Sequence, residues 1–260
     1  MGKFIFTNGG GLSVASGPST TSKANSNLSA FLDAPDPVYG SAGDGSQTLD
    51  GSTTILGMAP SSSVYTATRD LFFYNLTLSA NVRLNPGGYR IFVQNILTLG
   101  SDATIGYTTG FATAGSIQQG GAANNVSLSP VTHSLGGSSQ TYNATAPTAA
   151  TGGTNYYYQP FQAVRGYSIT GSSTTPTFLR GGAGGISGAG GGVVILAARY
   201  ITVASGTAYI KAPGTAGSGG GGGGAIIIIS SAASLNGSVT TDVTGGTSCN
   251  AGTVIYSQVV

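Results

Sequence analysis

The chain has no glutamate, no tryptophan, one histidine (His133) and one cysteine (Cys249), and only 6% of its 260 residues are charged. Each shortage closes off a chemistry. A single cysteine excludes an internal disulfide framework, so rigidity has to come from packing or association, and Cys249 reads as a small packed side chain. A lone histidine in a Ser/Thr/Pro-rich stretch leaves no evident base for a serine or cysteine nucleophile and reads as a surface residue. No catalytic residue is assigned on these grounds. Nine Lys and Arg lie singly between Lys3 and Lys211, and a net charge of +2 offers no basic stripe to follow a phosphate backbone, so nucleic acid is not an expected partner. Metal sites need several His, Cys, Asp or Glu close together, and only Asp33 and Asp36 form even a pair; no metal is expected.

Long apolar runs are missing too. The opening "MGKFIFTNGGG" lacks the apolar core of a secretory signal, and runs such as Val193 to Ala198 fall far short of the roughly 20 residues that span a bilayer. Neither export nor membrane insertion is expected. Gly2 is followed at position 6 by Phe, where a myristoylation motif wants Ser or Thr. The sequons at Asn27, Asn75, Asn125 and Asn143 read as chance in a chain without an export signal.

Glycine is abundant instead, with 45 residues, in a chain that is 40% hydrophobic and nearly uncharged. Disordered chains usually pair low hydrophobicity with high net charge, so this one is expected to fold. Gly217, Gly219 and Gly222 match a G-x-G-x-x-G pattern, but a strand rather than a helix follows them, so neither a dinucleotide nor any other cofactor is implied.

Self-similarity is more informative. The stretches "GGYRIFVQNILTLGSDATI" (87–105), "GGVVILAARYITVASGTAYI" (191–210) and "GGAIIIISSAASLNGSVTTDV" (223–243) each open with Gly-Gly, run through apolar or β-branched residues, cross a polar link and begin a second strand. A half-copy, "LTLSANVRL" (76–84), precedes them. Its Leu76, Leu78, Val82 and Leu84 align with Leu97, Leu99, Ala103 and Ile105, giving alternation on both sides of a short turn. No stretch keeps a helical period. The expected fold is therefore all-β, a β-solenoid-like series of strand-turn-strand units with glycine-rich extended segments and little or no helix.

Val193 to Leu196 and Ile226 to Ile229 do not alternate, which implies strands covered on both faces. Cover from another chain or a glycine-rich layer is the expectation, and Val193, Ile195, Ile226, Ile227, Ile228 and Ile229 are the candidate self-association residues. Collagen-like packing is excluded because the three-residue spacing of Gly182, Gly185, Gly188 and Gly191 stops there. Ordered glycine segments packed on the Ile and Val strands are preferred to loose linkers.

Four regions follow: an N-terminal attachment arm (1–50), a first β-repeat region (51–105), a Gly/Ser/Thr/Tyr-rich insertion (106–190) and a C-terminal β-repeat region (191–260). An insertion of that length is either functional or a subdomain. Within it Tyr156, Tyr157, Tyr158, Phe161, Arg165 and Tyr167 are the candidate surface-binding residues, weighed against plain packing. A glycan-cleaving spike is the enzymatic rival, needing two carboxylates from Asp33, Asp36, Asp44, Asp50, Asp70, Asp102 and Asp242, most of them in ordinary turn positions. An ice-binding or matrix protein would need a regular threonine array, of which Thr77, Thr98 and Thr202 give a sketch.

"GKFIFTN" resembles the opening of a group of tailed-bacteriophage virion proteins. "LTLSANVRLNPGGYRIFV", "GGGVVILAARYITVASGTAYIKAPG" and "GGGGGGAIIIISSAASLNGSV" resemble the glycine-rich repeats of phage fibre and adhesin-like proteins. The resemblance implies a non-enzymatic virion surface protein, usually homotrimeric, assembled in the host cytoplasm. Its partners would be itself, other virion proteins and a host cell-surface glycan or protein. Lys3, Phe4, Ile5 and Phe6 are then the candidate virion-attachment residues. The alternative placement is capsid decoration, as a head fibre or cement protein.

Overall fold

A computed structural model of the chain describes residues 38–110, 181–182, 184, 188–217, 220–247 and 249–259, together with two N-terminal strands. The chain divides into two units, residues 1–37 and 38–260. In the first, β1 (Lys3–Phe6) pairs antiparallel with β2 (Leu12–Ala15), Lys3 opposite Ala15 and Phe6 opposite Leu12. Among the described residues of the second, only strands, turns and irregular backbone occur.

That second unit solves a problem of parallel sheets. Parallel neighbours need a long return connection, usually a helix. Here the return is another strand, because the chain alternates between two sheets. One sheet holds β3 (Gln47–Leu49), β6 (Leu76–Leu78), β8 (Arg90–Leu99), β10 (Val193–Val203), β12 (Ala225–Ser230) and β14 (Thr253–Gln258) in that order, with β5 (Leu71–Phe73) also paired to β8. The other holds β4 (Val64–Thr66), β7 (Arg83–Asn85), β9 (Thr104–Gly106), β11 (Ala208–Lys211) and β13 (Val239–Asp242). Within both, the recorded strand pairings are parallel.

Register places like residues in rows. Leu49, Leu78, Leu99 and Val203 are successive partners across one sheet, as are Tyr65, Leu84, Ile105 and Ile210 across the other. All but Val203 are fully buried, and that residue packs against the same core. Corners between the sheets reuse one device. Ser79 and Gly100 accept from the N–H of Val82 and Ala103, three residues on, and the third corner residue is left-handed in each: Asn81 (φ 60°) and Asp102 (φ 58°), with Gly206 (φ 66°) at the next corner. Asn, Asp and Gly are the residues that tolerate this conformation most readily.

These sheets correct the expectation of a β-solenoid. A solenoid implies near-identical stacked units, whereas the strands here range from the three residues of β6 to the eleven of β10. Two consecutive strands, β5 and β6, pair with the single strand β8. Among the described residues of this unit the architecture is two unequal parallel sheets, of seven and five strands, enclosing one core, with a second core on the outer side of the larger sheet. Sequence alignment of the repeats showed strand and turn positions, but sheet membership and the dual pairing of β8 depend on contacts far apart in the chain.

A bend divides the larger sheet. Between the partner pairs Ala198/Val93 and Tyr200/Ile96 the ladder is irregular, β8 holding one residue more than β10. Asn75 secures the bend: its Oδ1 accepts from Asn95 Nδ2 (3.0 Å) and from the Ile96 N–H (3.3 Å), and its Nδ2 donates to Ser46 Oγ (3.1 Å). On one side of this line strands alternate between core and solvent. On the other, Val193–Ala198 and Ala225–Ile229 are buried on both faces.

The glycines make the second condition possible. Segments around 181–182, 188–192, 212–215, 220–224 and 243–252 run beside one another and exchange backbone hydrogen bonds. Gly182 N–H donates to Gly191 C=O (2.8 Å), Gly191 to Gly222 (2.9 Å), Gly224 to Ala212 (2.7 Å), Gly214 to Thr244 (2.8 Å) and Gly252 to Val243 (2.7 Å). A Cβ on Gly224 or Gly252 would lie closer than 3.0 Å to neighbouring backbone, so no side chain fits. The described glycine segments are thus an ordered, backbone-to-backbone bundle that leads directly into β10, β12 and β14.

Candidate binding surface

The expected site residues fall into three groups. Tyr156, Tyr157, Tyr158, Phe161, Arg165 and Tyr167 lie outside the described residues, as do His133, Asp33 and Asp36. Lys3, Phe4, Ile5 and Phe6 form β1. Val193, Ile195, Ile226, Ile227, Ile228 and Ile229 are at most 1% exposed within the single chain. Ile226 and Ile228 point into the main core, while Val193, Ile195, Ile227 and Ile229 join Tyr39 and Phe92 in the second, with Phe72 and Ile255 packed against it. Within the single chain these six side chains are buried and present almost no exposed surface.

Among the described residues, a chemically varied exposed area is the outer face of the smaller sheet. Alternation turns Tyr65, Leu84, Ile105 and Ile210 inward and therefore puts their neighbours outward. One outward row runs Val64, Arg83, Thr104, Tyr209 and Thr240, and a second runs Thr66, Asn85, with Gly106, Lys211 and Asp242 at its far end. Where the rows end, Tyr209, Lys211, Thr240, Asp242, Thr244 and Ala251 line a shallow depression of about 430 Å³. Lys211 Nζ sits 4.2 Å from the centre of the Tyr209 ring, a cation–π contact that holds the ammonium over the sheet. Asp242 Oδ1 accepts from the N–H (3.0 Å) and hydroxyl (2.8 Å) of Thr244, fixing the carboxylate at the rim.

This collection offers an aromatic ring, an ammonium, a carboxylate and several hydroxyls on a rigid sheet. It suits hydrogen bonding and stacking with a polyhydroxylated or polar ligand. Among the described residues no group of three His, Cys, Asp or Glu is placed to hold a metal ion.

A second exposed area lies beyond the bend of the larger sheet. Thr48, Thr77, Thr98 and Thr202 are successive partners across β3, β6, β8 and β10. Thr202 Oγ1 lies 3.4 Å from Thr98 Oγ1 and donates to Leu97 C=O at 3.3 Å. Beside this row Ile96 and Tyr200, direct partners, are 38% and 46% exposed, and Arg199 extends over the Tyr200 ring at 5.8 Å. The sequence suggested three of these threonines; Thr48 joins them only through the pairing of β3 with β6.

The described carboxylates are engaged structurally. Asp44 takes both guanidinium nitrogens of Arg69 (2.5 and 3.0 Å) and the N–H of Phe72 (2.7 Å). Burial pushes its pKa up, but the Arg69 and Phe72 hydrogen bonds and the Arg69 charge outweigh that and hold it below the usual carboxylate value. Asp70 binds the Arg90 side chain and N–H. Asp50 accepts from the N–H groups of Thr53 and Ser52, and these hold its pKa far below the ordinary range. It also meets the hydroxyl of buried Tyr65 at 3.0 Å, whose pKa rises through burial and the Asp50 carboxylate. A general acid needs a raised pKa, so Asp44 and Asp50 are tuned in the opposite direction.

Neither a family model, nor a curated protein, nor a solved structure matches the chain. The depression went unnoticed in the sequence because "AYIK" and "VTTD" are ordinary strand segments taken singly. Setting the two repeats side by side from their Gly-Gly starts pairs Lys211 with Val243; the link between strands is one residue shorter in the second repeat, and that shift brings Asp242 opposite Lys211.

Proposed function

We propose that the chain is a non-enzymatic structural protein of a tailed-bacteriophage virion, a self-associating tail fibre or adhesin exposed for contact with the host surface. The observation that carries this reading is the glycine bundle. Some glycine-rich phage tip adhesins, which this chain resembles in composition, stack extended glycine segments in layers; here, between bulky β repeats that those adhesins lack, glycine segments brace parallel strands through contacts no side chain would permit. The resulting body holds its shape with few ions, which suits a protein exposed on a particle.

The division of the chain fits the same reading. Of the expected attachment arm (1–50), residues 1–37 are a unit of their own that holds the β1–β2 pair and serves as the attachment device, and the sheets display the contact surface. On that surface the Tyr209–Lys211–Asp242 depression offers a rigid contact for a host glycan or protein, in addition to the tyrosine-rich stretch 156–167.

Gold-labelled antibody against the folded chain, applied to purified virions of the producing phage, tests the proposal. Label at the tail supports the fibre reading, and label over the shell assigns the chain to capsid decoration instead. Particles that carry no label in a lysate rich in the protein overturn both.

A further inference from the structure

The two ends of the larger sheet are protected very differently. At one end β3 is three residues long and flanked by Asp44 and Asp50. Short length and flanking charge are ordinary means of preventing a sheet edge from recruiting another strand. At the other end β14 is six residues long, reads Thr-Val-Ile-Tyr-Ser-Gln, and has no proline; no charged side chain occurs from Val243 through Val259. Among the described residues it pairs only with β12.

The ladder fixes which backbone groups are left over. Thr253 N–H donates to Gly224 and Val259 N–H donates to Ser230, both toward β12. Alternation then turns the N–H and C=O of Val254, Tyr256 and Gln258 toward the open edge. Val254 is 40% exposed there, among the largest exposures of any bulky apolar residue described.

We infer that β14 is an assembly edge that pairs with β14 of a second copy of this chain. An antiparallel two-fold arrangement centred on Tyr256 sets Tyr256 opposite its own counterpart and Val254 opposite Gln258 of the other copy. Every outward N–H then meets a C=O. The pairing is self-complementary, and the absence of charge along the strand removes the repulsion that would oppose two identical edges. β3 of another copy is a poor match, because three residues flanked by carboxylates cannot satisfy six. The copy number is therefore two, not the three that the phage resemblance implies. This inference does not depend on the virion reading, since it concerns the purified chain in solution.

Light scattering coupled to size-exclusion chromatography of the full chain, from about 1 to 100 μM, supplies the test. The expected result is a dimer whose dissociation constant rises about tenfold or more in Val254→Pro, which removes an outward donor without touching the β12 ladder. Val254→Lys, which sets two ammonium groups on the shared edge, should act in the same direction. Both variants should keep the circular dichroism spectrum of the parent, and amide exchange at Tyr256 and Gln258 should slow as the parent concentration rises. A monomer throughout this range, a trimer, or a dimer indifferent to both substitutions overturns the inference. If proline disturbs the fold, the lysine variant and the exchange measurement decide.

Discussion

The two sides of the bend in the larger sheet hold parallel strands together by different means. Around Leu76–Leu78 and Leu97–Leu99, leucines face the core while Thr77 and Thr98 face outward, and the sheet is covered on one side. Around Val193–Ala198 and Ala225–Ile229 every side chain is buried, odd and even residues feeding different cores, and the strands emerge from glycine backbone. The first arrangement is tolerant, because half its side chains answer to solvent. The second has no outlet on either face, and its tolerance is limited by backbone contact as well as by side-chain packing.

The sharpest way to break the comparison is at a glycine. A Cβ on Gly252 would meet Gly224 backbone at less than 3.0 Å, a distance real Cβ atoms essentially never show. Backbone cannot rotate aside as a side chain can, so Gly252→Ala should cost more than about 4 kcal/mol. Urea denaturation should show either an unfolded chain or early loss of the β10–β12–β14 region. A variant within about 1 kcal/mol of the parent would mean the bundle yields, and the contrast between the two sides would disappear.

On the tolerant side two adjacent residues should differ sharply. Leu97→Ala opens a cavity between Leu76 and Ile201 in the buried row and should cost about 2–5 kcal/mol. Thr98→Val removes only the 3.4 Å contact with Thr202 on the outer face and should stay within about 0.5 kcal/mol. Equal losses at both positions, measured by the same denaturation, would show that the threonine row carries structural weight.

The sequence made these regions legible to different degrees. Alternation in "LTLSANVRL" and "LTLGSDATI" placed strands β6, β7 and β9 and the ends of their turns, because a half-buried strand writes its period into its residues. The uninterrupted "VVIL" and "IIII" correctly implied two covered faces, but an apolar residue does not record what covers it. Tyr39, Phe72 and Phe92 supply part of that cover from more than a hundred residues away. The depression was hidden for a related reason: Tyr209, Lys211 and Asp242 become neighbours only through the parallel register of β11 and β13.

Acid should separate the two sides last and least. Asp50 follows β3 on the alternating side of the bend, whereas Asp44 holds Phe72 of β5 on the other side, and both titrate below the ordinary carboxylate value of 3.8 when folded. A depressed folded pKa contributes stability above the unfolded value, and that contribution is lost as pH falls toward the folded one. Stability should therefore be level down to about pH 5 and decline as the medium passes through 3.8 and below. Among the described residues the glycine segments and the isoleucine strands carry no carboxylate side chain. Amide exchange followed from pH 6 to pH 3 should accordingly accelerate first near Asp50, Ser52 and Thr53, while amides of Ile226–Ile229 stay protected. Asp50→Asn should flatten the acid response of the first group alone. Simultaneous loss of protection on both sides of the bend would show that the two halves of the sheet unfold as one cooperative unit.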